Sequence, residues 1–512
     1  MNLLRALATV SSLTLVSRIL GYVRDFVIAR AFGAGLATDA FFVAFRIPNL
    51  LRRLFAEGAF SQAFVPVLSY YKARNSPEET RTLLDGTATL LFLALVIAAA
   101  LGMALAPIVV YVSAPGFAAD PQKFELTVAM LRITFPYIAF ISLVALAAGI
   151  FNTWNRFSVP AITPTLLNLS FIVFALAFAD RFEEPVFALA WAVFAGGALQ
   201  LAFQVPFLAR MRLLPRWRLD FSHPGVRRIL KLMLPAAFGV SISQVSLLIN
   251  TIFASFLVSG SVSWLYYADR LMEFPAGVLG VALGTILLPS LSKYHADANP
   301  QEYSRLLDWG LRLTVLLAVP AAAALAVIAL PLIAALFQYG RFTEGDAWAT
   351  REALMAYSVG LVGMILVKIL APGFYARQDI VTPVKVGILT LLVTQAMNLA
   401  FIGPLRHAGL ALAIGLGACL NAAFLYRILR KKGIFVPQPG WPVFFLKVGA
   451  SVGFMAVVLY TTMGEARWWL SAPAHVKLPA VLGLAALGAA AYAACLLAFG
   501  FRLRDFARRG AA

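Results

Sequence analysis

The amino-acid sequence predicts an all-α membrane protein that crosses the bilayer many times. Hydrophobic residues make up 61% of its 512 residues and charged residues only 13%, against about 25% charged residues in a typical soluble domain. Long apolar runs recur along the whole chain, and about 20 such residues span the hydrocarbon core as a helix. Fourteen runs reach that length, so we predict fourteen transmembrane helices.

The charge distribution predicts the orientation of these helices. The formal net charge of +19 does not indicate nucleic-acid binding, because the basic residues lie in short loops between apolar runs. They concentrate at 72–81, 210–231, 427–432 and 502–509. The alternate loops hold fewer basic residues, and Lys123 is one of these. The positive-inside rule therefore predicts a multi-pass protein with both termini in the cytoplasm.

A weak internal repeat divides the chain. The motif at 64–69 resembles the one at 287–292, and Phe151 matches Phe374. The step from 64 to 287 equals the step from 151 to 374, and we call it the repeat offset. It skips an even number of spans, so the copies have the same orientation, as in transporters built from two lobes. We predict a first lobe at residues 1–220 (spans 1–6), a second lobe at 221–434 (spans 7–12), and a final helix pair with the C-terminus at 435–512.

Charged residues interrupt the first two apolar runs. Between Arg18 and Glu57 the arginines are Arg18, Arg24, Arg30, Arg46, Arg52 and Arg53, and the acids are Asp25, Asp39 and Glu57. An ionisable side chain at bilayer depth costs about 3 kcal/mol on insertion scales, so it normally faces protein or a watery cavity. Arginine suits phosphate because its planar group forms paired, charge-assisted hydrogen bonds. The net positive charge therefore predicts an anionic substrate.

A second cluster of charges lies in the second half of the chain. Asp269, Arg270 and Glu273 precede Pro275, and Lys368 stands alone in the tenth apolar run. In the first cluster, Arg53 and Glu57 have the i,i+4 spacing of a helical ion pair. The charges of the second half roughly mirror the first cluster, which favours a cationic pathway built from both halves.

Patterns typical of enzymes are missing from the sequence. A membrane transferase that handles diphosphates with a metal needs several carboxylate ligands together, whereas the acids here alternate with arginines. No Walker motif for nucleotide binding is present. We therefore predict a transporter with no cofactor and no metal, driven by the membrane potential or by an ion gradient. One charge crossing about 100 mV supplies roughly 2.3 kcal/mol.

Several motifs resemble the MurJ (MviN) family of bacterial lipid II flippases, and the similarity runs through nearly the whole chain. The matching stretches are 17–25, 38–42, 48–53, 55–66, 268–270 and 371–375. The resemblance implies the fold of the multidrug/oligosaccharidyl-lipid/polysaccharide exporters, with two six-helix lobes in a V. It also implies that the last two helices border a groove for a polyprenyl tail.

The resemblance also implies a function in peptidoglycan synthesis at the bacterial inner membrane. The substrate would be lipid II, an undecaprenyl-diphosphate-linked disaccharide-pentapeptide, moved from the cytoplasmic to the periplasmic leaflet. Membrane lipids and proteins of cell-wall synthesis or division are the other expected partners. Some family members bind sodium through an acid early in the seventh span, where this chain has Asn250. The presence of a sodium site therefore stays open.

The residues and the resemblance together predict roles for individual side chains. Family positions required for function match Arg18, Arg24, Asp39, Arg52, Asp269, Arg270, Glu273 and Lys368. We predict that substrate is bound by Arg18, Arg24, Asn49, Arg52 and Arg270. The predicted charge-pairing or gating residues are Asp25, Asp39, Arg53, Glu57, Asp269, Glu273 and Lys368.

Two other functions stay open at this point. The first is an exporter of another lipid-linked oligosaccharide or of a drug with the same fold, although a carrier of cationic drugs should have a net acidic cavity. The second is a polyprenyl-phosphate transferase. A purified protein that turned over a lipid-linked sugar by itself would support the transferase.

Overall fold

The chain folds into helices that form two compact units. The computed structural model describes residues 3–53, 60–220 and 222–502, with side chains described except at 3–11, 234–243 and 281–286. Unit 1 comprises Met1–Ser263 with Gly340–Phe342, and unit 2 comprises Trp264–Tyr339 with Thr343–Ala512. All regular secondary structure in the described ranges is helical. The all-α prediction is confirmed there, while the division at residues 220 and 434 stays a prediction.

Ten α-helices lie within the described part of unit 1. They are α1 (Leu3–Phe32), α2 (Leu36–Leu51), α3 (Ser61–Arg74), α4 (Pro77–Ala104), α5 (Ala106–Ser113), α6 (Pro121–Thr134), α7 (Tyr137–Thr153), α8 (Ser158–Ala177), α9 (Phe187–Arg210) and α10 (Pro224–Ser255). The next helix, α11 (Ser261–Ala296), begins in unit 1 and continues into unit 2.

Unit 2 continues with eight more helices in the described ranges. They are α12 (Pro300–Val327), α13 (Ala329–Leu336), α14 (Glu344–Leu370), α15 (Pro372–Tyr375), α16 (Val381–Lys431), α17 (Trp441–Thr462), α18 (Ala466–Ser471) and α19 (Ala474–Ala498). Across both units, nine described helical segments are long and apolar enough to span a membrane. The chain is therefore a multi-pass membrane protein, and the number fourteen stays a prediction.

Helix boundaries recur between the two units at the repeat offset. The N-cap Ser76 precedes α4 and the N-cap Asn299 precedes α12, and each side chain accepts the backbone N–H of a glutamate three residues later, at 3.2 and 3.1 Å. Such caps satisfy amide groups that have no partner within the helix. The ends of α4 and α12 are also separated by the repeat offset, as are those of α5 and α13.

Two further local features recur at the same offset. Asp120 caps α6 and Thr343 caps α14, each through its side chain. The non-glycine residues Asn155 and Gln378 both adopt a positive φ, of 58° and 61°, in the turns that follow α7 and α15. Since a positive φ is uncommon outside glycine, this coincidence supports the internal repeat that the sequence indicates.

The repeated sequence motifs lie in the apolar cores of the two units. Phe64 and Phe151 are fully buried in a cluster of unit 1 that includes residues of α4, α9 and α10. Their counterparts Leu287 and Phe374 are fully buried in a cluster of unit 2. Matching large apolar residues therefore occupy matching positions, which explains why the repeat survives as a weak pattern of Phe, Leu and Pro.

The longest helix, α16, folds back on itself. A straight helix of its 51 residues would be roughly 75 Å long. However, the backbone at Arg406 is not helical, with φ 50° and ψ −130°. Lys432 follows the end of α16 and Asp379 precedes its beginning, yet Nζ of Lys432 lies 2.8 Å from Oδ2 of Asp379. The two arms, at 381–405 and 407–431, therefore run antiparallel.

Glycines allow α14 to pack closely against the second arm of α16. A Cβ atom at Gly360 would overlap the Cα atom of Gly415, and one at Gly363 would lie 2.5 Å from the amide nitrogen of Cys419. Small residues permit this approach between membrane helices, where packing rather than the hydrophobic effect drives association.

We expect Gly360→Leu to destabilise unit 2, because the new side chain has no space against Gly415. Overpacking of this kind costs about 1–3 kcal/mol. The matched control is Gly483→Leu in α19, where a Cβ atom meets nothing within 4 Å. Thermal unfolding of the purified protein in detergent should separate the two variants, and equal melting temperatures would contradict the close packing.

A pH series should detect the ion pair that joins the ends of α16. The hydrogen bond from Lys432, aided by Thr382, lowers the pKa of Asp379 to about 2. A lowered pKa stabilises the fold above the unfolded value of about 4, and this contribution is lost as the pH falls from about 4 to 2. We expect Asp379→Asn to lower the melting temperature at pH 7, with a difference from the unchanged protein that shrinks below pH 4. A difference independent of pH would contradict this origin.

Candidate functional site

The first arginine cluster joins α1 to α8 in unit 1. Arg24 donates from Nε and Nη2 to Oδ1 of Asp25, at 2.9 and 2.7 Å, and from Nη1 to Oδ1 of Asn168 at 3.1 Å. Its guanidinium also lies over the ring of Phe171, 5.3 Å from the centroid. Asp25 is 1% exposed and Arg24 is 8% exposed. In this conformation the charge of Arg24 is neutralised by its neighbours.

Arg18 occupies a different environment on the same helix. Its side chain is exposed, while the backbone carbonyl of the preceding residue, Ser17, accepts a hydrogen bond from Asn168 at 3.1 Å. Of the predicted substrate-binding arginines on α1, Arg18 is therefore the accessible one and Arg24 the buried one.

The second cluster lies at the end of α2, just after Pro48. Nε of Arg52 donates to Oδ1 of Asn49 at 2.9 Å, and both side chains are half-buried. Arg53 is exposed. Glu57 lies outside the described residues, so its predicted pairing with Arg53 stays a prediction. The structure thus brings together two of the predicted substrate-binding residues, an amide and a guanidinium.

Asp39 is the centre of a buried hydrogen-bond network in unit 1. Its Oδ2 atom accepts from Nζ of Lys123 at 3.0 Å and from the backbone N–H of Gly260 at 2.7 Å. Its Oδ1 atom accepts from the backbone N–H and the hydroxyl of Ser263, at 2.9 and 2.7 Å. Because Asp39 is 0% exposed, these donors replace all of its contact with water.

Lys123 is the functional candidate that the sequence analysis missed. It was grouped with loop residues, but it lies in α6 and is only 3% exposed. Its ammonium contacts the face of the Phe117 ring at 4.2 Å and donates to the hydroxyl of Ser259 at 3.1 Å. The network therefore ties α2 and α6 to the turn between α10 and α11.

Arg46 provides another tie between α2 and α10. Its Nη1 atom donates to the hydroxyl of Thr251 at 2.6 Å. Together with the bonds of Asp39, this contact connects α2 to the helix and turn at 224–263 at two points along its length.

In unit 2 the predicted charges lie on α11 and α14. Nη1 of Arg270 donates to Oε2 of Glu273 at 2.7 Å, and both side chains are partly exposed. Lys368 on α14 donates from Nζ to the backbone carbonyl of Ala276 at 3.1 Å, and its side chain passes close over Gly280. Asp269 is half-buried. The structure thus aligns Arg270, Glu273 and the Lys368 contact along successive turns.

Two buried aspartates hold the connectors that follow α9 and α16, and neither was singled out from the sequence. Connector 1 comprises residues 211–220, and Oδ1 of Asp85 accepts its backbone N–H at Arg216 at 2.8 Å. Connector 2 comprises residues 432–440, and Oδ1 of Asp308 accepts its backbone N–H at Gln438 at 3.0 Å. The repeat offset also separates Asp85 from Asp308. Each unit therefore fixes its connector with the same residue of the repeat.

An apolar cavity of about 500 Å³ lies in unit 2. It is enclosed by α12, α14, the second arm of α16, connector 2 and the start of α17, with Trp441 and Arg430 among its lining residues. The indole N–H of Trp441 donates to Asp308 at 2.8 Å, which fixes this ring. The cavity is therefore lined mainly by apolar side chains, with Arg430 as its charged lining residue.

Among the described residues, no cluster of three or more His, Cys, Asp or Glu could hold a metal ion. The chemistry that these residues offer is the binding of anions by guanidinium groups and the exchange of ion-pair partners.

Comparisons with known proteins agree on one family. The family model for the lipid II flippase MurJ matches residues 28–474. Lipid II flippase MurJ of Burkholderia cenocepacia is 51% identical over 514 residues, which cover 99% of this chain and 100% of that protein. A probable lipid II flippase MurJ of Vibrio cholerae is 42% identical over 511 residues, which cover 98% and 97%.

Solved structures place the fold among the same transporters. A lipid II flippase MurJ in an inward closed conformation matches with a TM-score of 0.80 and 26% identity, over 98% of this chain and 99% of that one. A multidrug MATE transporter matches in fold alone, with a TM-score of 0.65 and 15% identity over 81% and 95%. The chain belongs to the MurJ family of lipid II flippases, which are membrane transporters and not enzymes.

Proposed function

We propose that this chain moves lipid II from the cytoplasmic to the periplasmic leaflet of the bacterial inner membrane by alternating access. Partner proteins of cell-wall synthesis or division stay a prediction. The observation that carries the proposal is that the guanidinium groups of Arg24, Arg52 and Arg270 each lie beside a carboxylate or an amide. A diphosphate can displace such a partner, because phosphate oxygens accept the same paired hydrogen bonds.

The binding residues of this proposal differ in how readily they exchange partners. Arg52 donates to the neutral amide of Asn49, and Arg270 is paired with Glu273, which is 55% exposed. Arg24 is buried against Asp25. We infer that Arg52, Arg270 and the exposed Arg18 bind the diphosphate first, and that Arg24 joins them when Asp25 is released.

The gating part of the proposal rests on Asp39. Its hydrogen bonds hold Gly260 and the first turn of α11 against α2, and its ion pair with Lys123 joins them to α6. Breaking them would release the beginning of α11, the helix that carries Asp269, Arg270 and Glu273. Asp39 and Lys123 would therefore act as a gate, while Lys368 fixes the position of α11 from α14.

The remaining parts of the proposal concern topology, the lipid tail and the driving force. The nine apolar segments would give ten spans if the two arms of α16 are counted separately. Four more would come from α1, from α2 together with α3, from α10 and from α11, which makes fourteen. Both termini would then lie in the cytoplasm, on the side where basic residues are frequent. The apolar cavity of unit 2 would hold the polyprenyl tail. The membrane potential or an ion gradient would supply the energy, without a cofactor.

We expect Arg52→Ala to slow translocation strongly while the protein still inserts. A hydrogen bond to a charged group contributes about 1.5–3 kcal/mol, so the rate of lipid II translocation should fall roughly 10- to 100-fold. The matched control is Arg427→Ala, an exposed arginine on the second arm of α16. The measurement is accumulation of lipid II in the inner leaflet of cells that depend on the variant. Normal translocation by correctly inserted Arg52→Ala would refute the proposed role.

We expect Asp39→Asn to destabilise unit 1, because it leaves the buried Lys123 without an opposite charge. Removing one member of a buried pair costs about 3–5 kcal/mol. The double variant Asp39→Asn with Lys123→Met should recover part of the lost stability, since it also removes the buried cation. Asp180→Asn, at an exposed acid, serves as the control. Thermal unfolding measures the effect, and an unchanged melting temperature of the single variant would exclude the pair as a stabilising element.

A further inference from the structure

Unit 1 contains an apolar cavity that the proposed transport does not use. It has a volume of about 270 Å³ and lies between α4, α7 and α9 under connector 1. Its lining is apolar except for Thr89 and Arg216, with Trp217 at the connector. An apolar cavity of about 150 Å³ can hold a benzene-sized hydrocarbon. This one therefore has room for a segment of a lipid chain.

The cavity corresponds by the internal repeat to the apolar cavity of unit 2. Five lining positions of one cavity match lining positions of the other at the repeat offset. The pairs are Ala88 and Leu311, Phe92 and Val315, Leu143 and Leu366, Ala147 and Leu370, and Leu214 and Pro437. Both cavities also lie under a connector that a buried aspartate holds. The same architecture thus forms a hydrocarbon site twice.

The rim of the cavity in unit 1 is strongly basic. Arg216 lines the cavity, and the backbone N–H of Arg218 donates to the lining residue Thr89 at 2.9 Å. The segment 210–231 holds Arg210, Arg212, Arg216, Arg218, Arg227, Arg228 and Lys231, against the single acid Asp220. Asp220 lies 4.0 Å from Arg218. The local charge therefore favours an anionic headgroup.

Trp217 indicates how deep in the bilayer the rim of the cavity lies. Its side chain is 62% exposed, and its ring packs edge-to-face on Phe92 with centroids 6.1 Å apart. Tryptophans on the surface of membrane proteins are enriched at the headgroup level. Arg216, which follows Pro215 and precedes this ring, is also exposed. The cavity thus meets its basic rim at the boundary between hydrocarbon and headgroups.

We propose that the cavity under connector 1 binds an anionic glycerophospholipid of the bilayer, with part of one acyl chain between α4, α7 and α9. The phosphate headgroup lies at Arg216 and Arg218. Basic pockets between membrane helices bind anionic headgroups in this way. The site is separate from the residues proposed to bind lipid II, so it does not depend on the transport proposal.

The test is native mass spectrometry of the full chain in detergent with dioleoyl phosphatidylglycerol or dioleoyl phosphatidylcholine added. These lipids have the same acyl chains, so a difference in binding reports the headgroup. We expect tighter binding of phosphatidylglycerol. The double variant Arg216→Gln with Arg218→Gln should weaken phosphatidylglycerol binding roughly 30-fold, because it removes two basic residues near the membrane surface. Arg427→Gln with Lys431→Gln removes the same charge from exposed residues of unit 2 and should leave binding unchanged.

A second variant tests the acyl-chain site independently of charge. Val205 lines the cavity and is 37% exposed, so Val205→Trp should fill the entrance without disturbing the core. We expect it to weaken binding of both phospholipids, with an unchanged melting temperature. Any of three results would overturn the proposal. The first is equal affinity for the two phospholipids, and the second is an equal loss of phosphatidylglycerol binding in the control variant Arg427→Gln with Lys431→Gln. The third is full binding by Val205→Trp. Displacement of phosphatidylglycerol by an equal or lower concentration of undecaprenyl phosphate would also overturn it, since it would assign the cavity to a polyprenyl lipid.

Discussion

Charge inside apolar helices has to be neutralised by its immediate surroundings, and this constraint determines the contacts of Arg24 and Asp39. Burying an ion without partners costs several kcal/mol. Arg24 is neutralised by Asp25 and Asn168, and Asp39 by Lys123 with neutral donors. Each solution joins elements that apolar packing alone would leave free to slide. The polar residues therefore specify the arrangement of the helices, while apolar residues supply the bulk of the packing.

The internal repeat extends from sequence motifs to caps, turns, connectors and cavities. Asp85 and Asp308 show how one position is reused with local variation: Asp308 also accepts from Arg312 at 2.7 Å and from the Trp441 indole, whereas Asp85 holds the backbone of connector 1. Trp441, at the start of α17, is also part of the lining of the larger cavity in unit 2. A duplicated scaffold has thus acquired different surroundings at equivalent sites.

The sequence predicted what depends on local pattern. Apolar length predicted helices, and the constant offset between the sequence motifs recurs in helix boundaries and caps of the structure. It did not predict Lys123 as the partner of Asp39, 84 residues away, or Asn168 as the partner of Arg24, 144 residues away. Such pairs depend on which helices become neighbours, and Lys123 lies in a polar stretch that resembles any loop. The family resemblance, by contrast, was confirmed because its motifs are long and continuous.

The network at Asp39 also implies a particular kind of motion. Three of its four hydrogen bonds come from Gly260 and Ser263, in the turn before α11 and the first turn of that helix. Withdrawal of these two turns would remove all three together and leave a dehydrated anion facing one ammonium. Partial displacement is therefore penalised more than either endpoint, in which protein or water solvates the carboxylate fully. As the proposed gate, such a latch would switch between two discrete positions, and its opening would be abrupt rather than graded.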